Sequence, residues 1–461
     1  MSNQENQLVI RLAKLVKENQ ELSKELKTLR ESYEALLLKS EAYEKLANNY
    51  NVGIDFEDGH VDKSSSVKFN MVTVMFADIH GFKEIQPHMD AEELIDHLDQ
   101  IILRFDEITS RYNLEKIKTI GDSFMCAGGI PNKNITNPIE VVLSAFEMLN
   151  LVKEKDRKAH IWEVRLAVHT GPVNAFINGK NKVTYDIKGD TVNIASRIES
   201  SGKNGHLIIS VMTYELVKEF FTCEYYGKLP VKYKGLLDLY EVTGIKPELS
   251  EDGKGLKPNS MFQTKFDLIK FHDLQEAILD KLEKELPADL HYHNVKHTVD
   301  VVTEVELIGW AEGISDDDLL ILKTAALFHD VGHTRSYTDH EYHGTVIARE
   351  ILPEFDYSPE QIEKICKIIM STKLPPAPTT LLEEIICDAD LDYLGRSDFI
   401  PVSNNLYEEL KTRNLVGTLD EWNRKQIAFI SNHQYFTNTA LKLREINKQN
   451  QIERIRQLLE N

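Results

Sequence analysis

The chain has 461 residues, with 54 Lys plus Arg against 74 Asp plus Glu and a formal charge of −20. That length exceeds one ordinary core, so two or three folded units are expected, and the acidic balance disfavours nucleic acid or an anionic membrane as partner. Cys126, Cys223, Cys366 and Cys387 lack metal-type spacing, and no run approaches the roughly 20 apolar residues of a membrane span, so a cytoplasmic protein without a disulfide framework or membrane span is expected.

In chain order, Leu8, Leu15, Leu22, Leu29 and Leu36 recur every seventh residue, with Leu12, Asn19, Leu26 and Tyr33 at the other core position. One buried Asn in such a register favours a parallel, in-register pair, so residues 1–48 are expected as a coiled coil that makes a homodimer. Residues 49–66 break the period with Asn, Gly, Asp and Ser and read as a linker. From about Val67 strands and helices follow in the order β-α-β-β-α-β, including a helix over 91–112, a hairpin over 115–129, a helix over 137–155 and separate strands over 164–170 and 173–177. That order predicts an α+β, ferredoxin-like domain, an antiparallel sheet with helices on one face, over 67–245. Residues 246–260, PELSEDGKGLKPNS at their centre, read as a second linker. Residues 261–461 are helical in period throughout and predict an all-α domain, so the chain is multidomain.

Two acids stand out in the first domain. Asp78 ends the apolar run from Met71 to Phe76, and Asp122 follows Gly121 at the tip of the hairpin. Burying a bare carboxylate at such a tip is costly unless a cation sits beside it, so two acids ending adjacent strands predict a site for two hard cations. In the second domain His329-Asp330 ends the apolar helix LLILKTAALF, with His297 and Asp390 before and after it. Imidazole nitrogen and carboxylate oxygen together suit Mn, Fe, Zn or Mg, with a bound water as nucleophile.

The runs VTVMFADIHGF, EKIKTIGDSFMCAGG, VRLAVHTGPV and TYDIKGDTVNIASRIE together resemble the catalytic domain of class III nucleotidyl cyclases. The resemblance implies that Asp78 and Asp122, with the Ile79 carbonyl, hold two Mg²⁺ or Mn²⁺ ions. Gly81 and Phe82 would offer main-chain N–H groups to phosphate, and Arg165 and Lys232 would contact the triphosphate. Lys118 and Asp186 match the base-reading pair in its adenine form, Lys donating to N1 and Asp accepting from the 6-amino group, so ATP is the expected substrate. Asn193 would orient the ribose and Arg197 would stabilise the pentavalent phosphate; four residues apart, they share a helix face. The metal acids of one subunit would face the base-reading pair of the other, which makes the homodimer, through coil and cyclase domain, the active form.

The His297, His329-Asp330, Asp390 set resembles the HD metal-dependent phosphohydrolases. By that resemblance His293 would be the general acid, and His333 and His340 would serve a second ion. The segment IIMSTK at 368–373 lacks histidines that many two-metal members carry, leaving one or two metals open, and Asp388 stands as an alternative to the preferred Asp390. The expected function is an adenylate cyclase with a C-terminal HD domain that hydrolyses a phosphoester, possibly a cyclic nucleotide. The alternative is an HD phosphohydrolase whose cyclase-like domain only senses nucleotide.

Overall fold

Alternating apolar residues along the strands build the first domain. In a computed structural model of the chain the described residues are 66–80, 91–155, 162–178, 184–231 and 235–460, all within one compact unit. The coiled coil expected over 1–48, nearly all of the 49–66 connection, and Gly81, Phe82 and Lys232 lie outside the described residues.

The elements are β1 (Ser66–His80), α1 (Ala91–Arg111), β2 (Glu115–Ile120), β3 (Ser123–Gly128), α2 (Asn137–Lys155), β4 (Glu163–Asn178), β5 (Thr184–Lys188), α3 (Asp190–Ser201), β6 (Leu207–Ser210), α4 (Val211–Val217), β7 (Phe221–Val231) and β8 (Gly235–Ile245). They form one sheet in the order β2-β3-β1-β4-β6-β8-β7, with β5 paired to β4 outside that path. Gly121, at φ 62°, turns the β2–β3 hairpin between the paired Ile120 and Ser123.

Three expectations need correcting. The sheet is mixed rather than antiparallel, because β4 and β6 run parallel with Leu166 opposite Leu207. The chain leaves β4 through β5 and α3, a connection long enough to cross over and return in the same direction. The helices cover both faces rather than one. Met75, Ala77 and Ile79 pack with Phe105 of α1 and Val142 of α2, while Val72 and Val74, on the other side of the pleat, pack with Ala195 of α3. Finally, the two strands expected around Gly171-Pro172 are one strand; Pro172 sits in β4 where the β1–β4 register shifts and no ladder donor is required.

Residues 246–260, expected as a linker, are folded. Two 3₁₀ turns, Pro247–Leu249 and Glu251–Gly253, are tied down by Lys246 N–H donating to the Phe220 carbonyl (2.9 Å) and Asn259 N–H to the Leu249 carbonyl (3.0 Å). Asn259 then caps α5 (Ser260–Glu285) by accepting from Phe262 N–H at 3.0 Å. This one helix belongs to two cores. Phe262 packs edge-on against Phe220, ring centroids 4.9 Å apart, in the core of the sheet domain, whereas Phe271, Leu274, Ile278 and Leu282 lie in the core of the helical domain. Asp273, further along, accepts from Ile135 N–H of the sheet domain at 3.1 and 3.2 Å. Phe262→Ala is therefore expected to lower stability by about 3 kcal/mol or more, read as a shift of the thermal midpoint.

The helical domain continues with α6 (Val295–Glu312), α7 (Asp316–Phe328), a 3₁₀ turn (Val331–Thr334), α8 (His340–Ile351), α9 (Pro359–Ser371), α10 (Leu381–Asp390), α11 (Phe399–Thr412), α12 (Leu419–Asn432) and α13 (Asn438–Glu460). Helix α7 is buried almost all round, as its continuous apolar run requires, and it delivers His329-Asp330 at its buried end. Among the described residues no helix is long and apolar enough to cross a membrane.

Candidate functional site

In the helical domain the expected ligands converge from three points of the fold. His297 lies in the first turn of α6, held by Asn294, which caps that helix by accepting from Lys296 N–H and His297 N–H. His329 and Asp330 follow α7, and Gly332 lets the turn pass so close to α8 that a Cβ there would overlap the His340 carbonyl oxygen. Asp390 ends α10.

Each of the two imidazole Nε2 atoms, of His297 and His329, lies 3.1–3.6 Å from the other and from one oxygen of each carboxylate, Asp330 Oδ2 and Asp390 Oδ1. That is the spacing of atoms sharing one coordination shell with bonds of roughly 2.0–2.2 Å. His329 Nδ1 donates to the Ala326 carbonyl (2.7 Å), which aims Nε2 at the cluster. Asp330 Oδ2 is buried and has no hydrogen-bond partner. A buried carboxylate oxygen without a donor, ringed by nitrogen and oxygen ligands, fits a divalent cation.

Charge in this cluster follows its burial and its neighbours. Burial would raise the Asp330 carboxyl, but the His329 imidazole beside it holds it well below the usual range. Burial opposes the charge of His329 in turn, and Asp330 overrides it to hold the imidazole well above its ordinary value. Asp330 also faces a second set. Its Oδ1 lies 3.5 Å from His340 Nε2 and 3.9 Å from His333 Nε2, and the two rings stack at 4.0 Å. Both ring nitrogens of His333 are buried without partners, and burial pushes this imidazole down to about 3, which keeps it neutral as a metal ligand requires.

His293 stands at the mouth of the cluster. Its Nδ1 meets Glu409 Oε1 at 2.5 Å, and the same carboxylate accepts from the N–H groups of Tyr292 and His293. Burial would raise Glu409, yet these donors, His293 first, hold it down at about 2. Glu409, on α11, is a residue the sequence reading missed; it lies 116 positions from His293, and no local pattern marks it. Asp388, the alternative to Asp390, points elsewhere: it accepts from Phe436 N–H, Thr437 N–H and Thr437 Oγ1 at 2.8–3.2 Å, and burial pushes it up to about 6 despite those donors. A cavity of about 480 Å³ is lined by His293, His340 and Asp390 together with Tyr393, Trp422 and Phe429.

In the sheet domain Asp78 lies at the end of β1, paired with Ser123 on β3 and Arg165 on β4. Ile79 N–H donates to the Asp122 carbonyl at 3.0 Å, so the hairpin tip and the end of β1 adjoin. Asp122 is exposed there, which corrects the expectation of a buried acid: a two-residue turn leaves its side chain in water. The shielded carboxylate is Asp78. It accepts from Arg165 Nη2 at 2.8 Å, and Arg165 Nε lies 2.9 Å from Glu199 Oε1. Burial pushes the Glu199 carboxyl up, Arg165 draws it back and the Asp78 charge adds to the rise. Glu199 was missed although its signal is visible: it follows Ala195 by four on the buried stripe of α3, where a charge needs a partner.

Asn193 and Arg197 are exposed on α3, opposite its buried Ile194, Ala195 and Ile198. Lys118 of β2 and Asp186 of β5 come together, Nζ to Oδ1 at 3.9 Å, both partly exposed.

Residues 65–244 match the family described as adenylate and guanylate cyclase catalytic domain, and residues 294–392 match the HD domain. The chain thus carries both domains. It is 34% identical over 180 residues to an adenylate cyclase of Mycobacterium tuberculosis (strain H37Rv), covering 39% of this chain and 41% of the relative. It is 36% identical over 202 residues to the receptor-type guanylate cyclase gcy-8 of Caenorhabditis elegans, covering 41% and 17%. The chain therefore spans about two fifths of the length of the first of these curated relatives and about a sixth of the second. Among solved structures, the adenylyl cyclase CyaB from P. aeruginosa is 28% identical over 39% of this chain and 96% of that one, with a TM-score of 0.36.

Proposed function

We propose that the chain is an adenylate cyclase, forming 3′,5′-cyclic AMP and pyrophosphate from ATP at a homodimer interface, joined to an HD phosphohydrolase. The domains are taken as 67–245 and 261–461, with the coiled coil of 1–48 pairing the subunits. The observation that carries the choice of ATP is the 3.9 Å approach of Lys118 to Asp186. A donor and an acceptor so placed match the N1 and 6-amino edge of adenine, and both would be mispaired by guanine.

Asp78, Asp122 and the Ile79 carbonyl would hold two Mg²⁺ or Mn²⁺ ions, which when bound supply activation of the 3′-hydroxyl and neutralisation of the triphosphate. In the reaction the 3′-oxygen bonds to the α-phosphorus as the bond to the bridging pyrophosphate oxygen breaks, and the hydroxyl proton is released. Asn193 orients the ribose. Arg197 donates to the α-phosphoryl oxygens as charge accumulates on them. Arg165, Lys232 and the N–H groups of Gly81 and Phe82 hold the triphosphate.

In the HD domain, His297, His329, Asp330 and Asp390 would hold a divalent ion, and the His333, His340 side of Asp330 a second. His293, kept protonated by Glu409, donates to the leaving oxygen. The apolar cavity that His293 lines suits an ester with a flat organic group, such as a cyclic nucleotide.

Product analysis of the full chain with ATP, GTP and cyclic AMP, each with Mg²⁺ or Mn²⁺, tests both halves. No cyclic AMP from ATP with either ion would overturn the cyclase reading. The double variant Lys118→Glu, Asp186→Cys should move the ATP-to-GTP ratio of kcat/KM toward GTP by about 100-fold, and an unchanged ratio would remove these two residues from base recognition.

A further inference from the structure

Resting on the cyclase reading above, we infer that His80 is a nitrogen ligand of the cation held at Asp78, so that this site takes a transition metal ion such as Mn²⁺ in preference to Mg²⁺. Asp78 and His80 are two apart on β1, and alternation puts both side chains on one face while Ile79 between them is buried on the other. That face is the one α3 covers, and α3 brings Glu199 to it. One ligand atom from each of Asp78, His80 and Glu199 lies within 4.8 Å of the other two.

The contacts inside this group are close without being hydrogen bonds. His80 Nε2 lies 2.8 Å from Asp78 Oδ2, yet that nitrogen is buried and without a hydrogen-bond partner. Glu199 is 8% exposed, and its Oε1 lies 2.9 Å from Arg165 Nε, likewise outside hydrogen-bond geometry. A nitrogen that sits beside a carboxylate oxygen, rather than aiming at it, has the relation of two neighbouring ligands in one coordination shell. In an octahedral shell with bonds near 2.1 Å such neighbours stand about 3 Å apart.

The donor set decides the metal. Mg²⁺ is held through oxygen and keeps its waters, and an imidazole nitrogen is a poor exchange for one of them. First-row transition ions accept imidazole more readily, and among them Mn²⁺ leans most toward carboxylate oxygen. Arg165 now bridges Asp78 and Glu199, so an arriving cation must displace it. The triphosphate, its proposed partner, arrives with that cation and gives the guanidinium a new anion.

The test uses the full chain carrying Asp330→Ala, which removes the carboxylate shared by both HD ligand sets, with Mn²⁺ and a non-hydrolysable ATP analogue. Pulsed electron paramagnetic resonance is expected to show imidazole ¹⁴N coupling to Mn²⁺ that is lost in His80→Ala. Mn²⁺ affinity should fall by at least about tenfold, the scale on which even the outer partners of a metal site act. His80→Asp should keep Mn²⁺ bound without the nitrogen coupling and tilt the activity of the otherwise unaltered chain toward Mg²⁺. Coupling of equal strength in His80→Ala, or an Mn²⁺-to-Mg²⁺ activity ratio unmoved by both substitutions, would overturn the inference. Absence of cyclic AMP with any metal would count against the cyclase reading instead, since the resonance result needs no turnover.

Discussion

Asp330→Ala is expected to strip divalent metal from the HD domain and abolish the hydrolysis proposed for it while the domain stays folded. Among the described residues Asp330 faces both ligand sets, Oδ2 toward His297 and His329 and Oδ1 toward His333 and His340. Its removal takes an anionic ligand from each side at once. Metal affinity should fall by well over about 100-fold, beyond the range seen for outer partners of a metal site. Elemental analysis of the purified chain would check this, with a return of stoichiometric metal counting against the assignment. Asp388→Ala is the informative control. Asp388 is buried nearby but ties down the main chain at Phe436 and Thr437. Its loss should cost about 1–3 kcal/mol of stability by leaving those N–H groups unpaired, and should leave the metal in place.

The contrast between these two acids shows what sequence can and cannot say. Asp388 and Asp390 are two apart in CDADLDYLG and equally acidic, yet helical geometry puts them on different sides of α10 and into different work. The His and Asp residues proposed as ligands, their order and the helix end at His329 were legible because each depends on a few adjacent residues. The helices over 91–111 and 137–155 and the hairpin at Gly121 were readable for the same reason. Glu409 was not, since only the packing of α11 brings it to His293. The parallel pairing of β4 with β6 also escaped, because a strand of four residues, Leu207–Ser210, carries no mark of which neighbour it will take. In the sheet domain Lys118 and Asp186 were paired by resemblance, and the fold brings them within 3.9 Å. The burial expected of Asp122 belongs instead to Asp78 and Glu199, whose shared partner Arg165 sits opposite Asp78 on β4.

Asp122→Ala and Arg197→Ala should each reduce cyclic AMP formation by about 100-fold or more, the scale of losing one group that stabilises transition-state charge. Both side chains are exposed, so neither substitution should disturb the fold, and unchanged thermal midpoints would establish that. Asp122 adjoins the end of β1, while Arg197 projects from the outer face of α3, away from the buried side where Glu199 meets Arg165. If each active site takes its metal acids from one subunit and its Arg197 from the other, a mixed dimer holds one site with both residues intact and one with neither. Equal mixing and random pairing make half the dimers mixed, so activity should recover to about a quarter of the unsubstituted value. Because each parent alone is nearly inactive, that recovery would be large against background. Recovery requires subunit exchange, which brief unfolding and refolding of the mixture, or co-expression, would supply. A mixture verified as containing mixed dimers but no more active than its parents would place Asp122 and Arg197 in the same subunit's site, and the shared-site reading would fall with it.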